Sequence, residues 1–215
     1  MPSGLEPRGN EPRGTDIRGG EHRNIVLIGP MGSGKSTVGA ALARRLERPH
    51  VDTDHFFVAR NGPIPEYFAA YGQQAFRAEE EKIVAELLDA PRPSVISLGG
   101  GSILSPRTRE LLKRHFTVML DITADQAAAR IGDASTRPML AGDPVGIWTR
   151  IYAEREPLYR QCANVVISAE EATIDARVGT IVEALHSASS APAALSTDAN
   201  TPEASSIHKE QSERS

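Results

Sequence analysis

Residues 29–37 read Gly29-Pro30-Met31-Gly32-Ser33-Gly34-Lys35-Ser36-Thr37, the G-x-x-x-x-G-K-[ST] spacing of a phosphate-binding loop. An apolar run, residues 24–28, precedes this loop, and a helical pattern of Val38, Leu42 and Leu46 follows it. Strand, glycine-rich loop and helix are the context that the motif requires, which disfavours a chance turn with a solvated lysine. Glycines let successive backbone N–H groups surround a phosphate, and the positive end of the helix faces the same anion. The loop therefore predicts a bound nucleoside triphosphate.

Polar side chains after the loop add to this prediction. Lys35 supplies a positive charge to the phosphates, and Ser36 offers a hydroxyl to Mg²⁺. Asp52 and Asp54 end the next apolar run, and the carboxyl ends of strands are where α/β sheets bind ligands. Asp52 could hold Mg²⁺ through water, and Asp54 could orient a substrate hydroxyl from the same side. An Asx turn or a helix cap is the structural alternative for each acid, but the pair after a phosphate-binding loop favours function.

Composition excludes several classes of protein. The chain has 215 residues, of which 40% are hydrophobic and 24% charged, as expected for one soluble globular domain with tails. A formal net charge of −4 argues against a nucleic-acid partner. Cys162 has no second cysteine to pair with, which fits a reducing compartment. With no apolar run of membrane-spanning length and no signal-peptide core, we expect a cytoplasmic protein without a membrane partner.

Three segments differ in composition. Residues 1–23 have almost no aliphatic side chains and repeat a Glu-Pro-Arg-Gly unit, so we expect a disordered leader rather than a docking arm. Residues 187–215 are rich in Ser, Ala, Pro and Thr, and we expect a disordered tail there. The folded domain is therefore expected to span residues 24–186.

Strand and helix patterns alternate through this domain. Five apolar runs predict strands: residues 24–28, 50–54, 94–98, 116–121 and 165–167. Helical spacing marks seven segments: residues 38–46, 64–71, 75–88, 106–114, 125–131, 145–159 and 174–185. The alternation predicts an α/β fold with three layers and a five-stranded parallel sheet between helices. Residues 132–142, framed by glycines and poor in pattern, are expected to form a mobile lid.

Arginines and a second glycine run suggest the acceptor of the phosphate. Arg77 and Arg155 could converge on a carboxylate, because guanidinium binds it through paired hydrogen bonds, although each alone is more often a surface ion pair. The glycines at residues 99–101, after a predicted strand, would let a ligand approach the backbone, unless they form only a loose turn. Arg137, in the expected lid, could close onto the triphosphate and stabilise transition-state charge.

In their order, these motifs resemble those of the shikimate kinases over residues 24–186. The shared features are residues 32–37, Asp52-Thr53-Asp54, Phe76-Arg77 with Glu80, residues 99–101, residues 137–142, and Arg155 before Pro157-Leu158-Tyr159. The resemblance implies transfer of the γ-phosphate of ATP to the 3-hydroxyl of shikimate, a step of aromatic amino-acid biosynthesis. It also implies the P-loop kinase fold of the nucleoside-monophosphate-kinase type and the use of Mg²⁺, and we expect a monomer.

The resemblance assigns roles to individual residues. Lys35, Asp54 and Arg137 would be catalytic, and Ser36 and Asp52 would serve Mg²⁺. ATP would be bound by Gly32, Ser33, Gly34, Lys35, Ser36, Thr37, Arg130 and Arg137, with Arg130 against adenine. Shikimate would be bound by Asp54, Arg77, Glu80, Gly99, Gly100, Gly101 and Arg155, with Glu80 orienting Arg77.

Three positions depart from the family. Gly72-Gln73 stands where Gly-Glu is frequent, Pro63 replaces a serine helix cap, and residues 168–172 lack an arginine that many members place near adenine. Three other functions also remain open from the sequence. A P-loop kinase for another polyol acid, such as gluconate, would share the loop and lid. A nucleotide-dependent switch would bind ATP without a small-molecule acceptor, and the tails leave room for a docking role.

Overall fold

The structure is a computed structural model that describes residues 23–131, 143–168 and 173–190. In this part of the chain, all strands belong to one parallel sheet of five, in the order β2-β3-β1-β4-β5. The strands are β1 (Ile25–Ile28), β2 (His50–Asp52), β3 (Val95–Ser97), β4 (Phe116–Leu120) and β5 (Val165–Ile167). β1 lies between β3 and β4, with Ile25 in register with Val95 and Phe116. The predicted parallel sheet is confirmed.

Helices cover both faces of this sheet. They are α1 (Lys35–Arg45), α2 (Thr53–Asn61), α3 (Ile64–Leu88), α4 (Pro106–Leu112), α5 (Ala124–Ile131), α6 (Pro144–Cys162) and α7 (Ile174–Ser190), with a 3₁₀ turn at Ser102–Leu104. None of the helices in the described ranges is both long enough and apolar enough to cross a membrane.

The core lies on the two faces of the sheet because successive strand side chains point in opposite directions. Ile25 and Leu27 pack with α1 and α7 on one face, whereas Val26 and Ile28 pack with α3 and α6 on the other. All four are buried, as expected of a parallel strand covered by helices on both sides. Three layers result, and the loop after β1 emerges at the carboxyl edge of the sheet.

α3 bends at Gly72, where the sequence predicts a break between two helices. Gly72 has φ 78° and ψ 173° inside the Ile64–Leu88 segment, a conformation that favours glycine over any residue with a side chain. The turn re-aims the chain so that Phe76 and Arg77 begin a new helical direction, as predicted.

Two boundaries differ from the sequence-based expectations. Asp52 ends β2 and its side chain caps α2, so residues 53–61 form a helix that the strand-like pattern of residues 50–54 does not predict. α7 continues to Ser190, so residues 187–190 are helical although they were assigned to the tail; alanine and serine can extend a helix that is already nucleated. The first 22 residues of the expected leader (1–23), the lid (132–142) and the rest of the tail (191–215) lie outside the described residues.

Candidate active site

A cleft of about 920 Å³ opens at the carboxyl edge of the sheet. The phosphate-binding loop, the start of α1 and residues 99–101 line this cleft together with Asp54, Arg77 and Arg155. The cleft therefore brings together a loop suited to phosphate and a set of charged groups suited to an acidic acceptor.

The phosphate-binding loop presents backbone N–H groups rather than side-chain caps. Gly32 and Gly34 have φ of 83° and 87°, which allow the tight turns of the loop. Gly34 precedes α1, and no side chain caps this helix. The first N–H groups of an uncapped helix form an anion site, strengthened by the helix dipole. Lys35 Nζ donates to the carbonyl oxygens of Gly29 and Pro30, both at 2.9 Å, and so lies against the same loop.

Ser36 and Asp52 place two oxygens side by side at the start of α1. The Ser36 hydroxyl donates to Asp52 Oδ2. The other carboxylate oxygen, Oδ1, accepts from the N–H groups of Asp54 and His55 at 3.0 and 3.2 Å. The helix-cap alternative for Asp52 is thus realised together with the contact to Ser36.

This oxygen pair fits Mg²⁺, which prefers oxygen ligands and keeps several waters or substrate phosphates. The described residues contain no group of three or more His, Cys, Asp and Glu that would form an all-protein metal site. A site with a few protein oxygens beside a phosphate-binding loop is the arrangement typical of Mg²⁺–nucleotide enzymes.

Asp54 faces the cleft with other acids behind it. Loss of hydration, followed by repulsion from Asp52 and Glu80, raises its pKa to about 6, and Lys35 and Arg77 oppose the rise. Asp54 is solvent-accessible on the side of the cleft, and the protein that surrounds it on the other sides accounts for the lost hydration. A carboxylate with its pKa near neutrality can accept a proton from a hydroxyl and release it again.

Gly99 lies so close to the acids that only glycine fits. A Cβ atom on Gly99 would lie 2.5 Å from Asp54 Oδ1 and 2.9 Å from Glu80 Oε1. Its N–H donates to Thr53 Oγ1 at 2.9 Å, which ties the turn after β3 to the end of β2. The glycine thereby gives Asp54 room at the floor of the cleft.

Arg77 is held in one orientation from several sides. Its Nη1 pairs with Glu80 Oε2 at 2.5 Å, and the buried Glu80 in turn accepts from the Ser102 hydroxyl at 2.8 Å. The guanidinium lies 5.1 Å from the Phe76 ring centroid. A Cβ on Gly101 would lie 2.1 Å from Nη1, so the absence of a side chain there makes space for the guanidinium. Glu80 therefore orients Arg77 in the free protein.

Arg155 reaches the same glycine turn from α6. Its Nη1 donates to the Gly100 carbonyl at 3.1 Å, and the Tyr159 hydroxyl donates to the same oxygen at 2.5 Å. Burial raises the pKa of Tyr159 to about 12, so this hydroxyl stays protonated and a donor at neutral pH. Arg77 and Arg155 thus approach neighbouring residues of one turn.

Comparison with known proteins agrees with this arrangement of motifs. A family model described as Shikimate kinase matches residues 31–186, well over half of the chain. The protein belongs to the shikimate kinase family. The fold class, the reaction class and the use of ATP with Mg²⁺ that were expected from the sequence are confirmed by this membership.

Individual relatives give the extent of the similarity. Shikimate kinase of Rhodococcus jostii (strain RHA1) is 46% identical over 144 residues, 66% of this chain and 85% of that protein. Shikimate kinase of Rhodococcus erythropolis is 43% identical over 162 residues, 74% of this chain and 95% of that protein.

Solved structures show the same likeness. Shikimate kinase from Acinetobacter baumannii in complex with shikimate has a TM-score of 0.73 and 32% identity, covering 77% of this chain and 94% of that one. A gluconokinase from Sinorhizobium meliloti, at 20% identity and a TM-score of 0.55, shares the fold alone.

Most residues expected from the shikimate kinase pattern lie in the cleft. Arg130 also lines it, and its Nη1 donates to the Gly32 carbonyl at 3.3 Å. Arg137 lies outside the described residues, as do residues 169–172, where many family members place an arginine. Tyr159 was not predicted to be a site residue, although the Pro157-Leu158-Tyr159 motif was recognised. Its position four residues after Arg155 places both residues on the same helix face, and this spacing could have predicted that Tyr159 lies in the cleft.

Proposed function

We propose that this shikimate kinase transfers the γ-phosphoryl group of ATP to the 3-hydroxyl of shikimate. The single observation that carries the substrate assignment is the convergence of Arg77 and Arg155 on one glycine turn, in the cleft that the phosphate-binding loop also lines. A small acid anchored by both guanidinium groups has its hydroxyls directed to Asp54 and the loop. The similarity to the A. baumannii enzyme supports the same choice.

Arg77 and Arg155 would grip the carboxylate of shikimate. Guanidinium groups bind carboxylates through paired, charge-assisted hydrogen bonds, and Glu80 and the Gly100 carbonyl hold the two arginines in place before the substrate arrives. Such preorganisation reduces the entropy lost when the substrate binds. Gly99, Gly100 and Gly101 would let the ring approach the backbone.

Asp54 would accept the proton of the attacking hydroxyl. The hydroxyl oxygen forms a bond to the γ-phosphorus, the bond from that phosphorus to the β-phosphate oxygen breaks, and ADP leaves with the bonding electrons. With a pKa raised to about 6, Asp54 is mostly ionised at pH 7 and remains a competent acceptor.

Charge on the transferred group would be stabilised from the loop. The N–H groups of residues 32–37 surround the phosphates, and Lys35 moves from its carbonyl contacts to the phosphate oxygens. Ser36 and Asp52 would hold Mg²⁺, which supplies positive charge between the phosphates when bound. We further propose that Arg137 closes over the triphosphate as the lid arginine and that Arg130 lies against adenine.

The cellular location, the oligomeric state and the domain bounds are proposals of the same kind. We propose a cytoplasmic monomer with a small-molecule substrate and with no membrane or nucleic-acid partner, because the formal net charge of −4 disfavours polyanions. The folded kinase domain is proposed to span residues 24–186, with a leader before it and a tail after it.

A coupled ADP-release assay with Mg²⁺-ATP tests the function. Shikimate, quinate, gluconate and no acceptor are compared at equal concentration. We expect ADP only with shikimate. Release with gluconate would instead favour another polyol-acid kinase and would require new roles for Arg77 and Arg155, and release without any acceptor would favour a nucleotide-dependent switch.

A further inference from the structure

Two carbonyl groups of the phosphate-binding loop accept hydrogen bonds from side chains of later helices, of which Trp148 also lines the cleft and Arg177 does not. The Met31 carbonyl accepts from Trp148 Nε1 of α6 at 3.0 Å. The Ser33 carbonyl accepts from Arg177 Nη1 of α7 at 3.3 Å. Two helices that come late in the chain therefore hold two carbonyl groups of the loop, 117 and 144 residues away in sequence.

Contacts other than the one to the loop hold the Trp148 side chain in place. Its side chain is buried, with 3% of its surface exposed, and its ring is stacked with that of Tyr152 at a centroid distance of 5.0 Å. The Tyr152 hydroxyl donates in turn to Asp121 Oδ1 at 2.5 Å, just after β4. The indole ring that donates to the Met31 carbonyl is thus held in a fixed position.

Arg177 is buried as well, with 6% of its surface exposed, although it carries a charge. Burial of a charged group is costly unless hydrogen bonds compensate it. α7 packs along α1, so the guanidinium reaches the loop from the protein interior rather than from the cleft. Its positive charge lies behind a loop suited to anions, which adds to the attraction for phosphate.

The geometry of the peptide bond links these contacts to phosphate binding. In a trans peptide, the carbonyl of one residue and the N–H of the next point in opposite directions. Holding the Met31 carbonyl toward Trp148 therefore turns the Gly32 N–H to the opposite side of the peptide, and holding the Ser33 carbonyl toward Arg177 does the same for the Gly34 N–H. Both glycines have left-handed φ values, and glycine resists rotation of its peptide planes least.

We infer that Trp148 and Arg177 are positioning residues that keep the N–H groups of Gly32 and Gly34 directed at the phosphates of the nucleotide. The inference rests on the proposed function only in requiring that the loop binds phosphate. According to this inference, one side chain of α6 and one of α7 contribute to the affinity of the loop for nucleotide.

Two variants test the inference with little change in packing. Trp148→Phe keeps an aromatic ring against Tyr152 but removes the N–H donor, and Arg177→Met keeps the stem but removes the guanidinium. Arg48→Met is the matched control, because Arg48 donates to the Arg23 carbonyl at 3.0 Å, away from the cleft. The measurements are KM for ATP, KM for shikimate, kcat, and the Kd of ADP by calorimetry without shikimate.

Loss of one such hydrogen bond is expected to raise KM for ATP and Kd for ADP about fivefold. KM for shikimate should change by less than about twofold, and the control should change neither constant. Arg177→Lys retains a positive donor and should recover part of the affinity for ADP. Thermal denaturation of each variant shows that it is folded before it is compared.

Unchanged ADP affinity in both variants would overturn the inference. Equal rises in both KM values would also overturn it, because they indicate general disorder of the cleft. Since ADP binding is measured without an acceptor, an error in the proposed acid substrate would leave this result intact.

Discussion

Replacing Gly101 with alanine tests how the substrate arginine is placed. Gly101 has φ −97° and ψ −14°, which alanine adopts without strain, so the backbone can remain as it is. The new Cβ would lie 2.1 Å from Arg77 Nη1 and 2.5 Å from Cζ. Ordinary contact begins near 3.4 Å, so the guanidinium must move by about 1.3 Å. It cannot do so without weakening its contact with Glu80 or Phe76.

A shift of about 1 Å in a positioning group can cost about a hundredfold in rate, and one charge-assisted hydrogen bond is worth about 1.5–3 kcal/mol. We therefore expect Gly101→Ala to raise KM for shikimate about ten- to a hundredfold, with KM for ATP nearly unchanged. Steady-state kinetics with each substrate varied measures both constants. Gly179→Ala is the matched control, because a Cβ there meets nothing within 4 Å. A normal KM for shikimate in Gly101→Ala would refute the placement of Arg77.

Four further predictions concern Asp54 and Arg155. Asp54→Asn should lower kcat about 10²- to 10⁴-fold and leave the Kd of ADP within about twofold in calorimetry; a large loss of ADP binding would reassign the residue. Folding raises the pKa of Asp54 from 3.8 to about 6, so the ionised carboxylate destabilises the folded protein above pH 6. Asp54→Asn should therefore have a higher melting temperature than the unchanged protein at pH 7.5, and this difference should become smaller toward pH 5. In the unchanged protein, kcat/KM for shikimate should fall as pH drops below about 6, and a profile flat down to pH 5 would contradict the proton-accepting role. Arg155→Lys should raise KM for shikimate about tenfold in the same kinetic assay, because lysine lacks the paired donors, and equal damage to ATP binding would argue against a carboxylate contact.

Local patterns predicted the phosphate-binding end of the site well. The glycine spacing of residues 29–37 determines its backbone, and Ile25–Ile28 and Lys35–Arg45 supply the strand and helix that the motif needs. Helical spacing predicted separate helices over residues 64–71 and 75–88, and the chain does turn between them at Gly72, which has a positive φ. In these segments, the local residue pattern alone is enough to predict the structure.

α2 escaped prediction because one residue has two roles. Asp52 is both the last residue of a three-residue strand and the cap of the following helix, so no polar turn separates the two elements. The strand-like alternation of side chains continues into the first turn of α2, and β2 is too short for the pattern to show where the strand ends. The cap explains the boundary only after the contacts of Asp52 are known.

Local sequence patterns also could not predict the contacts between segments that are far apart in the chain. Trp148 reads as an ordinary core residue of a helix, and Arg177 reads as a surface residue of one. Their roles depend on how α6 and α7 pack beside the loop after β1, which no local spacing reports. By contrast, Glu80 was assigned from family resemblance, and its pairing with Arg77 follows from a spacing of three residues on one helix.

Identification of the reaction product would test the proposed reaction most directly. The protein is incubated with Mg²⁺-ATP and shikimate, and the product is analysed by proton–phosphorus correlation NMR. We expect one phosphoester whose phosphorus couples to the proton on carbon 3, because in the proposed arrangement Arg77 and Arg155 would anchor the carboxylate while Asp54 would face the hydroxyl to be phosphorylated. Coupling to carbon 4 or carbon 5 would contradict this orientation, and free phosphate as the only product would contradict phosphoryl transfer to shikimate.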